Sequence, residues 1–403
     1  MGRIRVCNVI EEGRFGGPQR RIIQVAKALK PYGVDTHVVY PSVDSQRMRM
    51  ELELAGVPGT ALDITRLSKE KRSLGRYAVR FWFEVCQLSR FFRRYEFNLI
   101  HVNGSYQFKS ALAARLSGIP FVWHLNDTSM NGAVKCVCSI LARCWASGLI
   151  LAGNRVRQYY VKDTALEQKT LCEIEAPVDT RLFDPDRAPS DVRVSGVSGI
   201  KVATVSAINP AKGLEYFVKM AADLHNRYPR LAFYVAGAEL SSQAEYYHHL
   251  RKLVASSSLT SRNFAFIGTV NNVASFLRSV DICVFTSISE ASPTTVWEAM
   301  SMGKPVVSTD VGSVNKYIDD GVSGFIVPIK DAQALAEKVE ILLENPKLGK
   351  EMGRKARLIA QQNLDIRVAA EKHALFYERV ISSIEKCDGA TERSGNGRTY
   401  FHV

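Results

Sequence analysis

Short runs of β-branched and other apolar residues recur along most of this chain, each followed by a stretch with helical spacing. The runs are 5–10, 36–40, 98–102, 121–124 and 148–152 in the first half, and 201–205, 231–236, 264–267, 282–285 and 305–308 in the second. Between them, Ile22, Ile23, Ala26 and Leu29 fall on one face of a helix over 20–29, and 107–116, 213–224 and 246–255 also read as helices. Strands in strict alternation with helices imply mostly parallel sheets covered on both faces. Segment 180–199, rich in Asp, Pro, Ser and Gly, separates the two sets and reads as a linker. The expectation is an α/β chain with two such sheets, divided as 1–185 and 186–365. A last helix over 366–385 follows the second sheet, and the polar, Gly-rich tail 388–403 is expected to be disordered. A length of 403 residues with 46% apolar side chains is enough for two filled cores. In open sheets of this kind a ligand binds beyond the carboxyl ends of the strands, in the cleft between the halves.

The most informative chemistry follows the run 282–285. Glu290 lies in a loop, then Ser292 offers an N-cap and Pro293 a first helical residue. Glu298 falls about two turns into that helix. The amides of Thr294, Thr295 and Val296 are expected to be free at the helix start, where the helix dipole favours an anion. Two carboxylates flanking an amide-lined phosphate site suit a sugar linked to a nucleoside diphosphate. One would grip sugar hydroxyls and the other ribose hydroxyls.

Glu290 and Glu298, seven residues between them, are followed by Ala299-Met-Ser-Met-Gly303-Lys-Pro305-Val-Val-Ser308, Gly312-Ser-Val-Asn-Lys-Tyr-Ile and Gly321-Val-Ser-Gly324-Phe-Ile-Val-Pro328. This pattern resembles the signature of the family 4 retaining glycosyltransferases, of the kind that builds bacterial polysaccharides and glycolipids, and the resemblance extends over nearly the whole chain. It implies the GT-B fold, two Rossmann-like domains facing a central cleft, with the final helix crossing back to complete the first domain. It implies transfer of a hexosyl or N-acetylhexosaminyl group, with retention and without a catalytic metal, from a UDP- or GDP-linked sugar to a glycan or lipid-linked acceptor. By the same resemblance Glu290 holds the sugar and Glu298 the ribose. Lys212 neutralises the diphosphate, and His124, at the end of 121–124, contacts the transferred sugar. Gly16 and Gly17 let the backbone approach the donor phosphates, Gly237 and Gly268 line the nucleotide, and Val270 lies near the base. No other cofactor is implied. One departure is plain: the family commonly carries Gly-Arg five residues before the lysine, and this chain has Ser206-Ala207. That keeps two alternatives open, a nucleotide-sugar-binding regulatory protein of weak activity and a GT-B nucleotide-sugar epimerase. Arg14, Arg20 and Lys304 are candidates to replace the missing charge.

The net charge of +13 is unevenly placed: residues 1–180 carry 26 Lys/Arg against 16 Asp/Glu. Much of the excess lies in 66–97, with Arg66, Lys69, Lys71, Arg72, Arg76, Arg80, Arg90, Arg93 and Arg94 interleaved with aromatic residues, among them Tyr77, Phe81, Trp82, Phe83, Phe91, Phe92 and Tyr95. Helical spacing gathers Tyr77, Phe81, Leu88 and Phe92 on one side. A basic amphipathic helix of this kind fits either an anionic membrane surface or a packed helix with a solvated basic face. No nucleic-acid-binding motif accompanies the charge. The eight cysteines, several within apolar runs, read as thiols in a reducing compartment, and Cys136-x-Cys138 lacks the second pair of a zinc site. Asp184-Pro-Asp186 reads as turn chemistry and not as a metal motif. With no secretory signal and no long apolar run, a cytoplasmic location is expected, peripheral to the inner membrane if 66–97 binds lipid.

Overall fold

The computed structural model describes residues 3–67, 71–162, 164–239 and 241–394, in two compact units. The first comprises Met1–Ile174 with Ala369–Val403, and the second Glu175–Val368. Its division therefore falls earlier than the 185/186 boundary drawn from composition. Lys69 and, of the tail, residues 395–403 lie outside the described residues, as do the side chains of Lys71 and Arg72.

The first unit holds seven parallel strands: β1 Ile4–Val9, β2 Val34–Pro41, β3 Gly59–Leu62, β4 Leu99–Asn103, β5 Phe121–Leu125, β6 Gly148–Leu151 and β7 Leu171–Glu173, in the order β3-β2-β1-β4-β5-β6-β7. The second holds six: β8 Lys201–Val205, β9 Ala232–Ala236, β10 Phe264–Gly268, β11 Ile282–Phe285, β12 Val306–Thr309 and β13 Phe325–Val327, in the order β10-β9-β8-β11-β12-β13. Both are Rossmann-like sheets, as the alternation of strands and helices implies.

Alternate residues of each central strand of the second sheet serve opposite faces, because successive side chains in a strand point to opposite sides. Ala203, Tyr234, Ala236, Cys283 and Phe285 enter one core with Trp297 and Met300. Val202, Phe233, Val235, Ile282 and Val284 enter the other, with Phe217 and Leu224 of the helix Leu214–Arg227. Each such side chain contributes about 1.5–3 kcal/mol by leaving water. That is why these strands read as unbroken apolar runs.

In the first unit the helix Gly17–Leu29 buries Ile22, Ile23 and Ala26 against Val38 and Tyr40 of β2. The helix Ile366–Ser394 lays Phe376 and Val380 over β6, where a Cβ on Gly148 would come within 2.9 Å and 2.8 Å of them. That helix continues past residue 385 to Ser394, so the first part of the expected disordered tail is helical.

The basic stretch forms the helix Lys71–Arg94. Of the four residues grouped by spacing, Tyr77, Leu88 and Phe92 are buried and Phe81 is half-buried. The outward face is not simply basic: Val79 is 87%, Trp82 65% and Phe83 64% exposed. Two of its arginines are tied down, Arg80 to Asp63 and Glu84, and Arg93 to the carbonyls of Leu116 and Ser117. Glu84 is wholly buried and meets the Nζ of Lys109, itself 0% exposed, whose ammonium lies 4.1 Å from the Tyr77 ring. A buried pair of this kind is costly to break, since either partner left alone is an uncompensated charge. No described helix is long and apolar enough to cross a membrane.

Candidate functional site

The carboxyl ends of β8, β9 and β11 assemble the first group of candidate residues. Ser206 N donates to the carbonyl of Ala236, and Gly237 N to that of Gly268, both near 2.9 Å (2.8 and 2.9). The chain after β9 passes so close to β8 that a Cβ on Gly237 would sit 1.8 Å from the Ser206 oxygen. Only glycine fits there. After Ala207 the chain makes the short helix Pro210–Lys212 and turns at Gly213, which has a φ of +57° and where a Cβ would sit 2.4 Å from the Thr286 oxygen, so both conformation and space demand glycine.

Two bonds then staple this turn to the loop after β11. Thr286 Oγ1 donates to the Lys212 carbonyl at 2.9 Å, and Ile288 N donates to the Ala211 carbonyl at 2.8 Å. As a result Lys212 Nζ meets Glu290 Oε1, which also accepts from Ser287 Oγ at 3.0 Å. Both side chains keep access to solvent, 24% and 16% exposed. Sequence reasoning assigned roles to the two groups separately, and the fold pairs them. An ammonium so held can exchange its carboxylate for a bound anion, and the exchange frees Glu290 to accept other donors.

The helix after this loop, Thr294–Ser301, starts one residue later than expected. Pro293, not Ser292, occupies the N-cap position. The Ser292 hydroxyl is drawn away: Ala176 N donates to it at 3.0 Å and Trp297 Nε1 at 3.3 Å. Trp297 is fully buried and stacks edge-on against Tyr317, so the tryptophan fixes the serine. The amides are also not all free: Thr294 N donates to Ser292 O and Val296 N to Pro293 O. The tight turn satisfies locally what a regular helix start would have left open. Thr295 and Glu298 are half-buried on this helix, Gly268 is exposed at the end of β10, and Val270 packs on the core beside it.

Of the candidates to replace the arginine missing at Ala207, Lys304 is unsuited. Its ammonium donates to the carbonyls of Val280 at 2.8 Å and Arg278 at 3.1 Å, and burial lowers its pKa. Arg14 pairs with Glu12, whose carboxylate Arg66 also holds. Arg20 is exposed.

In the first unit, Gly16 and Gly17 open the helix Gly17–Leu29. Gln19 reaches back to fix them, accepting from Gly16 N at 3.1 Å and donating to the Glu12 carbonyl at 3.0 Å. A Cβ on Gly17 would meet nothing within 4 Å. His124, on β5, is 1% exposed and does not itself reach the surface. Its ring stacks on His101 of β4 with centroids 5.2 Å apart, and His373 of the last helix lies beside both. Arg21 stands over it, donating to Asn103 Oδ1 at 2.6 Å and to His124 Nε2 at 3.2 Å. Burial first, then the Arg21 charge and neighbouring rings, hold both His101 and His124 well below the usual histidine range. Burial likewise lowers His373 to about 4 and Arg21 to about 10. Arg21, His101, Asn103, His373 and Tyr377 were not singled out from sequence. Among the described residues no group of three or more His, Cys, Asp or Glu side chains is placed to hold a metal ion.

A family model described as Glycosyltransferase Family 4 matches residues 15–162, and one described as Glycosyl transferases group 1 matches 194–359. Alpha-D-kanosaminyltransferase of Streptomyces kanamyceticus is 29% identical over 181 residues, covering 44% of this chain and 45% of that protein. The trehalose synthase of Pyrococcus horikoshii and the putative glycosyltransferase EpsD of Bacillus subtilis are likewise matched over 44% and 52% of their lengths. The chain thus spans only about half the length of these curated relatives. The D-inositol 3-phosphate glycosyltransferase of Frankia alni is 27% identical over 83% of this chain and 87% of that protein. Among solved structures, Anabaena HepE in complex with UDP-glucose superposes with a TM-score of 0.77 at 20% identity, covering 95% of this chain and 100% of that one. A glycosyltransferase from Rickettsia africae gives 0.79 at 19% identity, over 94% and 99%.

Proposed function

The chain belongs to the GT-B glycosyltransferases, and on that premise we propose that it transfers a sugar from a nucleoside-diphosphate donor to a glycan or lipid-linked hydroxyl, with retention of configuration. The observation that carries this reading is the Lys212–Glu290 pair at the carboxyl ends of the second sheet. The donor's diphosphate takes Lys212 from its carboxylate, and the ammonium then neutralises the charge that builds on the leaving phosphate. Glu290, released, accepts hydroxyl protons of the sugar. Gly237 and Gly268 line the nucleotide, Val270 lies near the base, and Glu298 holds the ribose. Thr295 lies at the helix start beside the phosphates. Gly16 and Gly17 of the first unit let the backbone approach the donor phosphates, and the His124 cluster serves the transferred sugar. The leaving phosphate takes the acceptor proton, so the reaction needs neither a protein nucleophile nor a bound metal.

The uridine nucleotides are the first donors to test, since UDP-glucose is the ligand of the similar Anabaena protein. The native state should gain melting temperature with the correct nucleotide sugar, because a ligand selective for it stabilises it. Transfer should then be measured with that donor. Lys212→Ala is expected to lower kcat roughly 10²–10³-fold, as loss of one charge-stabilising donor does elsewhere. Ala207 favours a second reading, a protein that binds a nucleotide sugar for regulation. Tight binding with no turnover across a donor panel would establish it, and donor turnover to an isomer without acceptor would establish an epimerase.

We also propose that the outward face of the helix Lys71–Arg94 meets an anionic membrane surface. Exposed Trp82 and Phe83 among arginines support this, since aromatic rings settle at the headgroup level while guanidinium groups attract anionic lipid.

A further inference from the structure

A chain of ring nitrogens runs inward from Arg21, and its direction is fixed by chemistry. A guanidinium donates hydrogen bonds and accepts none. Arg21 Nη1, at 3.2 Å, is therefore the donor and His124 Nε2 the acceptor. A neutral imidazole that accepts at Nε2 carries its proton on Nδ1. His124 Nδ1 thus donates to His101 Nε2 at 3.1 Å, and His101 Nδ1 donates to the Tyr377 oxygen at 2.7 Å. The reverse order, with Tyr377 donating, would point an Nε2–H of His124 at the guanidinium, two donors face to face. A second proton on either ring is opposed by burial and by the Arg21 charge. His373, stacked 5.9 Å from His101, carries no charge of its own into the cluster, because burial lowers it by more than the hydrogen bond from its Nδ1 to the Ala369 carbonyl, at 2.7 Å, raises it.

We infer that Arg21, His101 and Tyr377 are positioning residues that lock His124 as its Nδ1–H tautomer, so that this face of the first unit presents the Arg21 fork to a ligand in place of an imidazole N–H. The exposures agree: His101, His124 and Tyr377 are each 1% exposed, whereas Arg21 is only half-buried. Asn103 completes the seat by accepting from Arg21 and donating to Asn8 Oδ1 at 3.2 Å. What such a fork selects is an oxygen with lone pairs, on a hydroxyl or a phosphate. The relevance to catalysis rests on the transferase reading, while the direction of the chain does not.

The test is long-range ¹H–¹⁵N spectroscopy of the full-length protein with labelled histidine rings at pH 7, assigned with His101→Gln and His124→Gln. Both rings should be neutral, with the proton on Nδ1. Arg21→Met should release the constraint and move the His124 proton to Nε2, while Arg21→Lys, still a donor, should keep it on Nδ1. An Nε2–H or imidazolium form of either ring in the wild type would overturn the assignment, and so would tautomers indifferent to Arg21→Met. Tyr377→Phe strands the His101 N–H, and should lower kcat for UDP-glucose turnover about tenfold with KM within twofold. Unchanged kcat would remove Tyr377 from the chain. The predicted tautomers in a protein that turns over no nucleotide sugar of the donor panel would count against the transferase reading and in favour of this one.

Discussion

At Lys212 an ammonium is held by the one carboxylate that a bound anion would have to displace. Glu290→Gln removes that competitor, so UDP should bind at least as tightly as to the wild type. If Glu290 grips the sugar as proposed, turnover of the nucleotide sugar should nevertheless fall roughly 10²-fold, since that carboxylate would act only when the sugar is present. Calorimetry with UDP beside steady-state kinetics separates the two effects. The histidine cluster gives a stability prediction with a definite sign. His373 titrates at about 4 in the folded chain and near 6.5 when unfolded, so the unfolded state binds the extra proton first. The stability is complete above about pH 6.5 and is lost as pH falls toward 4, by roughly 3 kcal/mol for this group. Melting temperatures taken from pH 7 to 4.5 should fall less steeply in His373→Gln. Glu290 and Glu298 could be nominated from sequence because their pattern is local. Arg21 was not, since its partner His124 lies 103 residues away, and Tyr377 is 276 residues from His101. No spacing rule joins residues that only strand order and a last helix bring together.

Among the elements, the strands that sequence reasoning found are mostly those buried on both faces, the edge strand β10 being an exception. It did not single out β3, β7 and β13, of four, three and three residues, each at a sheet edge and without a continuous run of buried apolar side chains. The start of the helix Thr294–Ser301 was misjudged for a different reason: a local capping rule favoured Ser292, but the buried Trp297 claimed its hydroxyl. Tertiary contact outweighed a preference worth about 1 kcal/mol. Two glycines make a contrast within the same fold. Gly237→Ala would drive a methyl into the Ser206 carbonyl and should cost about 1–3 kcal/mol, as overpacking does, with a clear drop in melting temperature. Gly17→Ala meets nothing, and should raise stability slightly by restricting the unfolded chain. If the backbone at Gly17 approaches the ligand as proposed, the same change lowers turnover. Equal turnover would argue against that approach.

For the molecule as a whole, the GT-B fold was legible from alternation and from the motifs, and the matched families cover both units. The charge asymmetry was legible too, but its meaning was not. Structure ties Arg80 and Arg93 of the basic stretch to carboxylates and carbonyls, and leaves an outward face carrying Val79, Trp82 and Phe83. Trp82→Ser with Phe83→Ser should therefore reduce flotation with anionic vesicles more than reversal of Arg93, which is tied to Leu116 and Ser117. Equal flotation of the double variant and wild type would count against a membrane role. Raised salt should weaken the wild-type interaction, since exposed charges are screened.

The helix that begins in the second unit and ends in the first has a consequence for how the chain is made. Tyr377, Phe376 and Val380 reach β4 and β6 from the far end of the sequence. On the ribosome, β1 to β7 emerge early but lack their covering helix until the second unit has been synthesised. The first unit is therefore the last to close, and it waits with the β6 surface uncovered, a state that favours aggregation. A fragment that stops at Ile174 would remain in that state, whereas the second unit, contiguous over Glu175–Val368, carries everything its own core requires.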